Sequence, residues 1–257
     1  MTQPLTWANG RMVAFDTETT GTDTEVDRVV SAALISVGGN VPTERRTWLA
    51  DPGIAIPEEA TRVHGITTDH VRAKGSEAAH VIEEITAKLA ELLADGVPVV
   101  VFNARYDLTL LDREARRHGV APLVDRLTGR DVAPVIDPLV IDRYIDRYRP
   151  GSRKLAALAD HYQVATTEDL HDAAVDAITA ARIAWRIGTN HSAIGTADLL
   201  KLHDAQVNWA AEQAASLEEY LRRRDPQAQV EPAWPYLPHT LTDTPTTPVP
   251  SEGRAEQ

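Results

Sequence analysis

An apolar run over residues 12–15 leads straight into Asp16-Thr17-Glu18, and two carboxylates one residue apart on an extended chain leave it on the same face. Carboxylates in apolar surroundings are destabilising unless they are paired or bind a cation. Two more acidic positions have similar settings. Asp107 ends the segment VVVFNARYD, and Asp176 lies in HDAAVDA, five residues after His171. Oxygen-rich sets of this kind suit Mg²⁺ or Mn²⁺, which keep several waters and share their coordination with substrate phosphate. Two such ions can stabilise both the entering and the departing oxygen of an in-line displacement, and a neutral histidine can take a proton from water. Four carboxylates and one imidazole therefore point to metal-assisted phosphoryl chemistry.

Each piece alone has an ordinary explanation. A D-x-E pair is more often a solvated turn, an aspartate at position 107 more often caps a helix, and His171 beside Asp172 reads as a helix start. Positions five apart on an ideal helix lie about 140° out of alignment, so His171 and Asp176 cannot face the same way from one regular helix. His171 belongs in the loop entering the helix, with Asp176 on a face made thin by Ala173, Ala177 and Ala180.

Residues 12–16 read as a buried strand followed by a polar turn over 17–21. Residues 29–37 and 44–50 complete a three-strand meander. Apolar residues at 82, 85, 89 and 92 mark an amphipathic helix that ends at Gly96. Residues 97–102 read as a strand covered on both faces. Helices are expected over 107–118, 139–148, 155–162 and 172–187, with a short strand at 135–137. Strands first and then alternating with helices imply an α/β mixed sheet flanked by helices. A further helix over 197–224 carries an apolar stripe at Leu200, Val207, Ala210, Ala214, Leu217 and Leu221, with His203 on that face. Prolines concentrate from Pro226 onward, so residues 226–257 are expected to be extended or disordered, with Trp234, Tyr236 and Leu237 able to dock locally.

The chain has 257 residues, no cysteine and a formal net charge of −12. Disulfides, thiolate metal sites and cysteine nucleophiles are thereby excluded, and a reducing, cytoplasmic setting is the expectation. No segment is apolar enough to span a membrane, and the N-terminus lacks the pattern of a signal peptide. The negative charge argues against coating nucleic acid by bulk electrostatics, while leaving room for an enzyme that touches a few terminal nucleotides. A local cluster, Arg143, Arg147, Arg149, Arg153 and Lys154, either contacts phosphates or is solvated surface charge.

In order, FDTETTG, FNARYD and HDAAVDA resemble the three motifs of the DEDDh 3′-to-5′ exonucleases, a family related to the proofreading epsilon subunit of bacterial polymerase III. The resemblance covers residues 11–188, leaving 197–225 as a helical extension and 226–257 as a proline-rich tail. It implies a ribonuclease H-like fold with a mixed five-stranded sheet flanked by helices. It also implies two Mg²⁺ or Mn²⁺ ions held by Asp16, Glu18, Asp107 and Asp176, with His171 activating water to release nucleoside 5′-monophosphates from a 3′ end. Around them, the backbone at Thr19 and Thr20 would receive the 3′-hydroxyl, His64, Gly65 and Ile66 would lie against the terminal base, and Asn103 would also contact substrate. The chain departs from the family at Tyr106, commonly Phe, and at Pro138, commonly Thr. Neither position is a metal ligand. Single-stranded DNA, in repair or proofreading, is the expected substrate. An RNA-trimming enzyme resembling ribonuclease T or oligoribonuclease, and an inactive nucleic-acid-binding scaffold with a polymerase or repair partner, remain as alternatives.

Overall fold

A computed structural model describes residues 6–166 and 171–239 of the chain; the part of the proline-rich tail beyond residue 239 lies outside them. The chain opens with strands β1 (Arg11–Thr19), β2 (Val29–Gly38) and β3 (Glu44–Asp51), an antiparallel meander. Helices α1 (Glu58–His64) and α2 (Thr68–Lys74) follow, then strand β4 (Ser76–Glu77), helix α3 (Ala78–Ala94), strand β5 (Val99–Val100) and helix α4 (Ala104–Arg117). Helix α5 (Leu123–Arg126), strand β6 (Val135–Ile136), and helices α6 (Pro138–Ile145), α7 (Leu155–His161), α8 (Ala173–Asn190), α9 (Ser192–Gly195) and α10 (Leu199–Arg222) complete the described elements. The sheet order is β4-β3-β2-β1-β5-β6, with β5 parallel to β1, β6 parallel to β5 and β4 parallel to β3.

The sheet has six strands, where five were expected. The additional one is the two-residue β4, docked on Ala50 and Asp51. Gly75 makes this approach possible, because a Cβ there would fall 2.7 Å from the Asp51 amide nitrogen. The buried apolar segment at 97–102 supplies only two residues of regular strand, although Val101 N–H still reaches the Ile136 carbonyl at 3.0 Å. Conversely, β1 does not turn after Asp16. It continues through Thr19 because β2 is long enough to pair opposite both acids, Asp16 with Ala33 and Glu18 with Ser31.

Alternation along β1 sorts the core into two layers. Val13 and Phe15 join α3 and α4 on one face, whereas Met12 and Ala14 join α8 on the other. Asp16 and Glu18 are in phase with Met12 and Ala14, so both acids emerge on the α8 side. Helix α8 presents buried Ala173, Ala177, Ala180, Ala181 and Ala184, small residues that let it lie close to β1 and β2.

Helix α10 turns a different face inward from the one its apolar stripe suggests. Leu202, His203, Gln206 and Ala214 are buried, while Leu200, Leu217 and Leu221 are exposed. The reason is the unpaired edge of β6, whose backbone needs partners more than its neighbourhood needs hydrocarbon. Gln206 accepts from Asp137 N–H at 2.7 Å and donates to the Val135 carbonyl at 3.0 Å, and His203 Nδ1 accepts from Val135 N–H at 3.2 Å.

Residues 230–238 form no regular element but run as a strap along α4. Arg105, Thr109 and Arg113, spaced by four on one helical face, hold its backbone. Arg105 donates to the Glu231 carbonyl at 2.6 Å, Thr109 Oγ1 accepts from Leu237 N–H at 2.9 Å, and Arg113 donates to the Leu237 carbonyl at 3.1 Å. Trp234 is buried beneath the strap.

Gln206→Leu should leave one buried donor and one buried acceptor of β6 unmatched and lower unfolding stability by about 2–4 kcal/mol. Urea unfolding would register this as a lower midpoint with an unchanged slope. A midpoint equal to wild type would show that the edge is satisfied in another way.

Candidate active site

The acidic site forms where β1 outruns its neighbour. Pairing of β1 with β5 ends at Ala14 and Val100, yet β1 continues for five more residues. Val13 N–H points toward the β5 side, where it meets the Pro98 carbonyl, and by the two-residue repeat Thr17 N–H points the same way into a gap. Asp107, in the first turn of α4, fills that gap. Its Oδ1 accepts from Thr17 N–H at 3.2 Å and from Thr17 Oγ1 at 2.6 Å. Asp107 is thus buried against the strand and does not serve as the helix cap; that position belongs to Asn103, whose φ is +63°.

From the opposite layer α8 brings Asp176. One carboxylate oxygen from each of Asp16, Glu18 and Asp176 lies within 4.8 Å of the others, a set able to hold a cation. Asp172 caps α8, accepting from Ala174 N–H at 2.9 Å and Val175 N–H at 3.3 Å. His171 therefore stands just before the helix, exposed, with φ of +82°. The five-residue spacing demanded this arrangement.

Electrostatics set this cluster apart from a solvated turn. Asp16 is partly open to solvent yet desolvated by the protein around it, and this, followed by repulsion from Asp107, Glu18 and Asp176, pushes its carboxyl well above the usual range. Burial and then the charges of Asp176 and Asp107 push Glu18 up to about 8. Burial raises Asp107 to about 7 against the opposing pull of its Thr17 hydrogen bonds. Asp176 is raised by burial, opposed by the backbone and charge of His171, and its Oδ1 is buried without a hydrogen-bond partner among the described residues. An orphaned carboxylate oxygen among three mutually repelling acids fits a divalent cation: hard oxygen donors, excess negative charge and, among the described residues, no competing lysine or arginine bonded to them.

Beside Glu18 opens a cleft of about 370 Å³ whose walls include Trp48, His64, Ile66 and His171, a size within the ordinary range for ligand sites. His64 is half-buried at the end of α1; its Nδ1 accepts from Ile66 N–H at 3.1 Å, and burial lowers its pKa. Gly65 terminates α1 with φ of +75°, with open space where a side chain would stand. Thr19 Oγ1 bonds the Gly21 carbonyl and the Tyr106 hydroxyl, at 2.7 and 2.8 Å. Thr20 turns inward: its N–H reaches the Arg28 carbonyl and its hydroxyl reaches Asp27, so neither group faces the cleft. Asn103 lines a different cavity. Trp48 and Tyr106 were not picked out as site residues from the sequence, although the departure from the family at Tyr106 was a signal that could have found one of them. In the basic cluster, Arg149 and Arg153 both bind Asp142 and are structural, a pairing that linear order could not disclose.

Residues 13–184 match the RNase_T family model, described as exonuclease. The chain is 30% identical over 175 residues to a DNA polymerase III PolC-type protein of Lacticaseibacillus paracasei, covering 68% of this chain and 11% of that protein. It is 28% identical over 110 residues to the DNA polymerase III subunit epsilon of Aquifex aeolicus, covering 43% of this chain and 52% of the subunit. The chain therefore spans from about a tenth to about half of these relatives' lengths. Among solved structures, the E. coli exonuclease I–ssDNA complex superposes with a TM-score of 0.61 at 21% identity, over 72% of this chain and 41% of that one. Exonuclease I from Methylocaldum szegediense superposes with a TM-score of 0.59 at 21% identity, over 82% and 46%. These likenesses establish a shared fold.

A carboxyl whose folded pKa lies above its unfolded value stabilises the fold at low pH and stops doing so as pH rises through the folded value. Glu18 and Asp107 titrate near 8 and 7 when folded and near 4 when unfolded. With chelator present, unfolding stability should therefore fall steadily between about pH 4 and 8. Glu18→Gln should flatten that decline and exceed wild type at pH 8, while losing stabilisation by added Mn²⁺. Urea midpoints across the pH series would test this, and identical slopes for the two proteins would contradict the geometry.

Proposed function

The chain belongs to the exonuclease family that its residues 13–184 match, and from that premise we infer that it is a divalent-metal-dependent 3′-to-5′ exonuclease of single-stranded DNA. The observation that carries this reading is the convergence of Asp16, Glu18 and Asp176 within 4.8 Å, with Asp107 bonded to the Thr17 amide between the first two. In this assignment Asp16, Glu18, Asp107 and Asp176 hold two Mg²⁺ or Mn²⁺ ions. When bound, these would offset the carboxylate charge and stabilise the attacking and departing oxygens.

The protein's own groups divide the remaining work. His171 accepts the proton of the attacking water as general base, and the Asp172 cap holds the backbone beside it. The Thr19 side of the strand end receives the terminal sugar, and His64, Gly65 and Ile66 form the wall for the last base. Tyr106 ties Thr19 to the Gly21 carbonyl, steadying the turn that follows Glu18. Residues 11–188 form the catalytic unit, and 197–225 complete it by covering the sheet edge. DNA is favoured over RNA because the relatives are named as DNA polymerase III proteins and the structural neighbours include an ssDNA complex. Repair or proofreading alongside a polymerase is the corresponding role.

On 5′-labelled DNA and RNA strands of matched sequence, wild type with Mg²⁺ or Mn²⁺ should give a ladder of shortened products, faster on DNA. Asp16→Ala should abolish it, and His171→Ala should slow it by about 10²–10⁴-fold. Full activity of Asp16→Ala would refute the assignment, and faster RNA cleavage would replace DNA by RNA as substrate.

A further inference from the structure

Away from the acidic cluster, α6, α10 and the strap enclose the larger cavity of about 480 Å³, and its walls include Asn103, Arg105, Arg143, Arg147 and Tyr148. In a chain of net charge −12, three arginines converge here without an ion-pair partner among the described residues. Among the described residues Arg105 donates only to the Glu231 carbonyl, Arg147 to Ser216 Oγ at 3.2 Å, and Arg143 to none. The nearby Asp142 carboxylate is occupied by Arg149 and Arg153. Asp137, at the floor, is engaged by the N–H groups of Asn103, Ala104 and Leu139. Desolvation, and then repulsion from Arg153 and Arg105 against the attraction of Asp137, lowers the pKa of Arg143. Unpaired guanidinium charge is what a phosphate neutralises.

An aromatic edge accompanies the charge. Tyr148 is 86% exposed, and the Arg147 guanidinium lies 5.7 Å from its ring centroid. Next to it Tyr144 is already stacked on Trp209, at 3.8 Å and 10°, so Tyr148 is the ring with a free face. Guanidinium groups beside an unstacked aromatic match single-stranded nucleic acid, whose phosphates and bases alternate in the same way. The cavity also borders the start of α4, the helix that carries Asp107. Asn103 lines it, and Asp107 follows one turn later on α4, about 6 Å along the helix axis.

We propose that this cavity is a second nucleic-acid subsite, in which Arg105, Arg143 and Arg147 hold the phosphates of a single strand upstream of the scissile end and Tyr148 stacks on one of its bases. The upstream location rests on the exonuclease reading, whereas the binding does not. The test is anisotropy of a fluorescein-labelled twenty-nucleotide thymidine strand with the full chain in chelator, where hydrolysis is not required. Tyr148→Ala should weaken binding about tenfold. Arg143→Gln combined with Arg147→Gln should make the log–log salt dependence shallower by about 1.4. Arg186→Gln, at the half-buried arginine beside the exposed Trp185, should keep wild-type affinity.

Wild-type affinity and salt slope in both cavity variants, with circular dichroism showing native folding, would overturn the subsite. So would an equal loss in Arg186→Gln, which would reduce the effect to net charge. Binding that depends on the cavity residues, in a protein that releases no mononucleotide with Mg²⁺ or Mn²⁺, would uphold the subsite and reject the exonuclease reading instead.

Discussion

The fold is organised around an electrostatic conflict: carboxylates that repel one another are held together in a poorly solvated setting. Asp16, Glu18 and Asp176 share a few ångströms, Asp107 stands behind them, and burial raises the pKa of every one. Such a cluster lowers the stability of the metal-free chain at neutral pH, so the surrounding structure must supply rigidity from elsewhere. Its location follows from one mismatch in strand length. Where β1 runs on past β5, a strand that is central only in its first half becomes an edge, and its free amide at Thr17 becomes a seat for Asp107.

Two opposing helices keep the acids from separating. On one side α8 lies close because its inner face is alanine, which brings Asp176 near β1 without a long side chain in between. On the other, α4 is fixed at several points. The buried Glu114 accepts from Val29 N–H at 3.1 Å, joining α4 to the first residue of β2. Asp137 receives the amides of Asn103 and Ala104 at the start of α4 and that of Leu139 at the start of α6, so one buried carboxylate orients two helices. Polar groups satisfied in this way are stiff, because releasing any of them would leave a buried partner unmatched.

Polar closure also governs the far edge of the sheet. Helix α10 covers β6 with Gln206 and His203 in the manner of a neighbouring strand, and Trp234 packs against His203 at 5.0 Å between centroids while donating to Asp137 at 3.4 Å. The same β6 border, α10 and strap thereby support the start of α4 and frame the arginine-lined cavity. The start of α4, the helix that carries Asp107, and the arginine-lined cavity thus share the hydrogen bonds around Asp137.

Most of the catalytic reading was already present in linear order. Apolar runs with two-residue and helical periodicities located the meander and the long helices, and the types and spacing of Asp16, Glu18, Asp107, His171 and Asp176 named a candidate chemistry, because local backbone geometry alone decides which neighbours share a face. Even the separation of His171 from Asp176 by a helix start followed from the pitch of a helix. Contacts between distant segments did not follow. That Asp107 would bond Thr17, that Gln206 would substitute for a strand, and that Arg149 and Arg153 would be neutralised by Asp142 while Arg143 was not, all depended on which backbone groups remained unpaired after the sheet formed. Periodicity reports how each segment divides its apolar and polar sides; only the assembled fold determines which polar groups lose their water and must find one another.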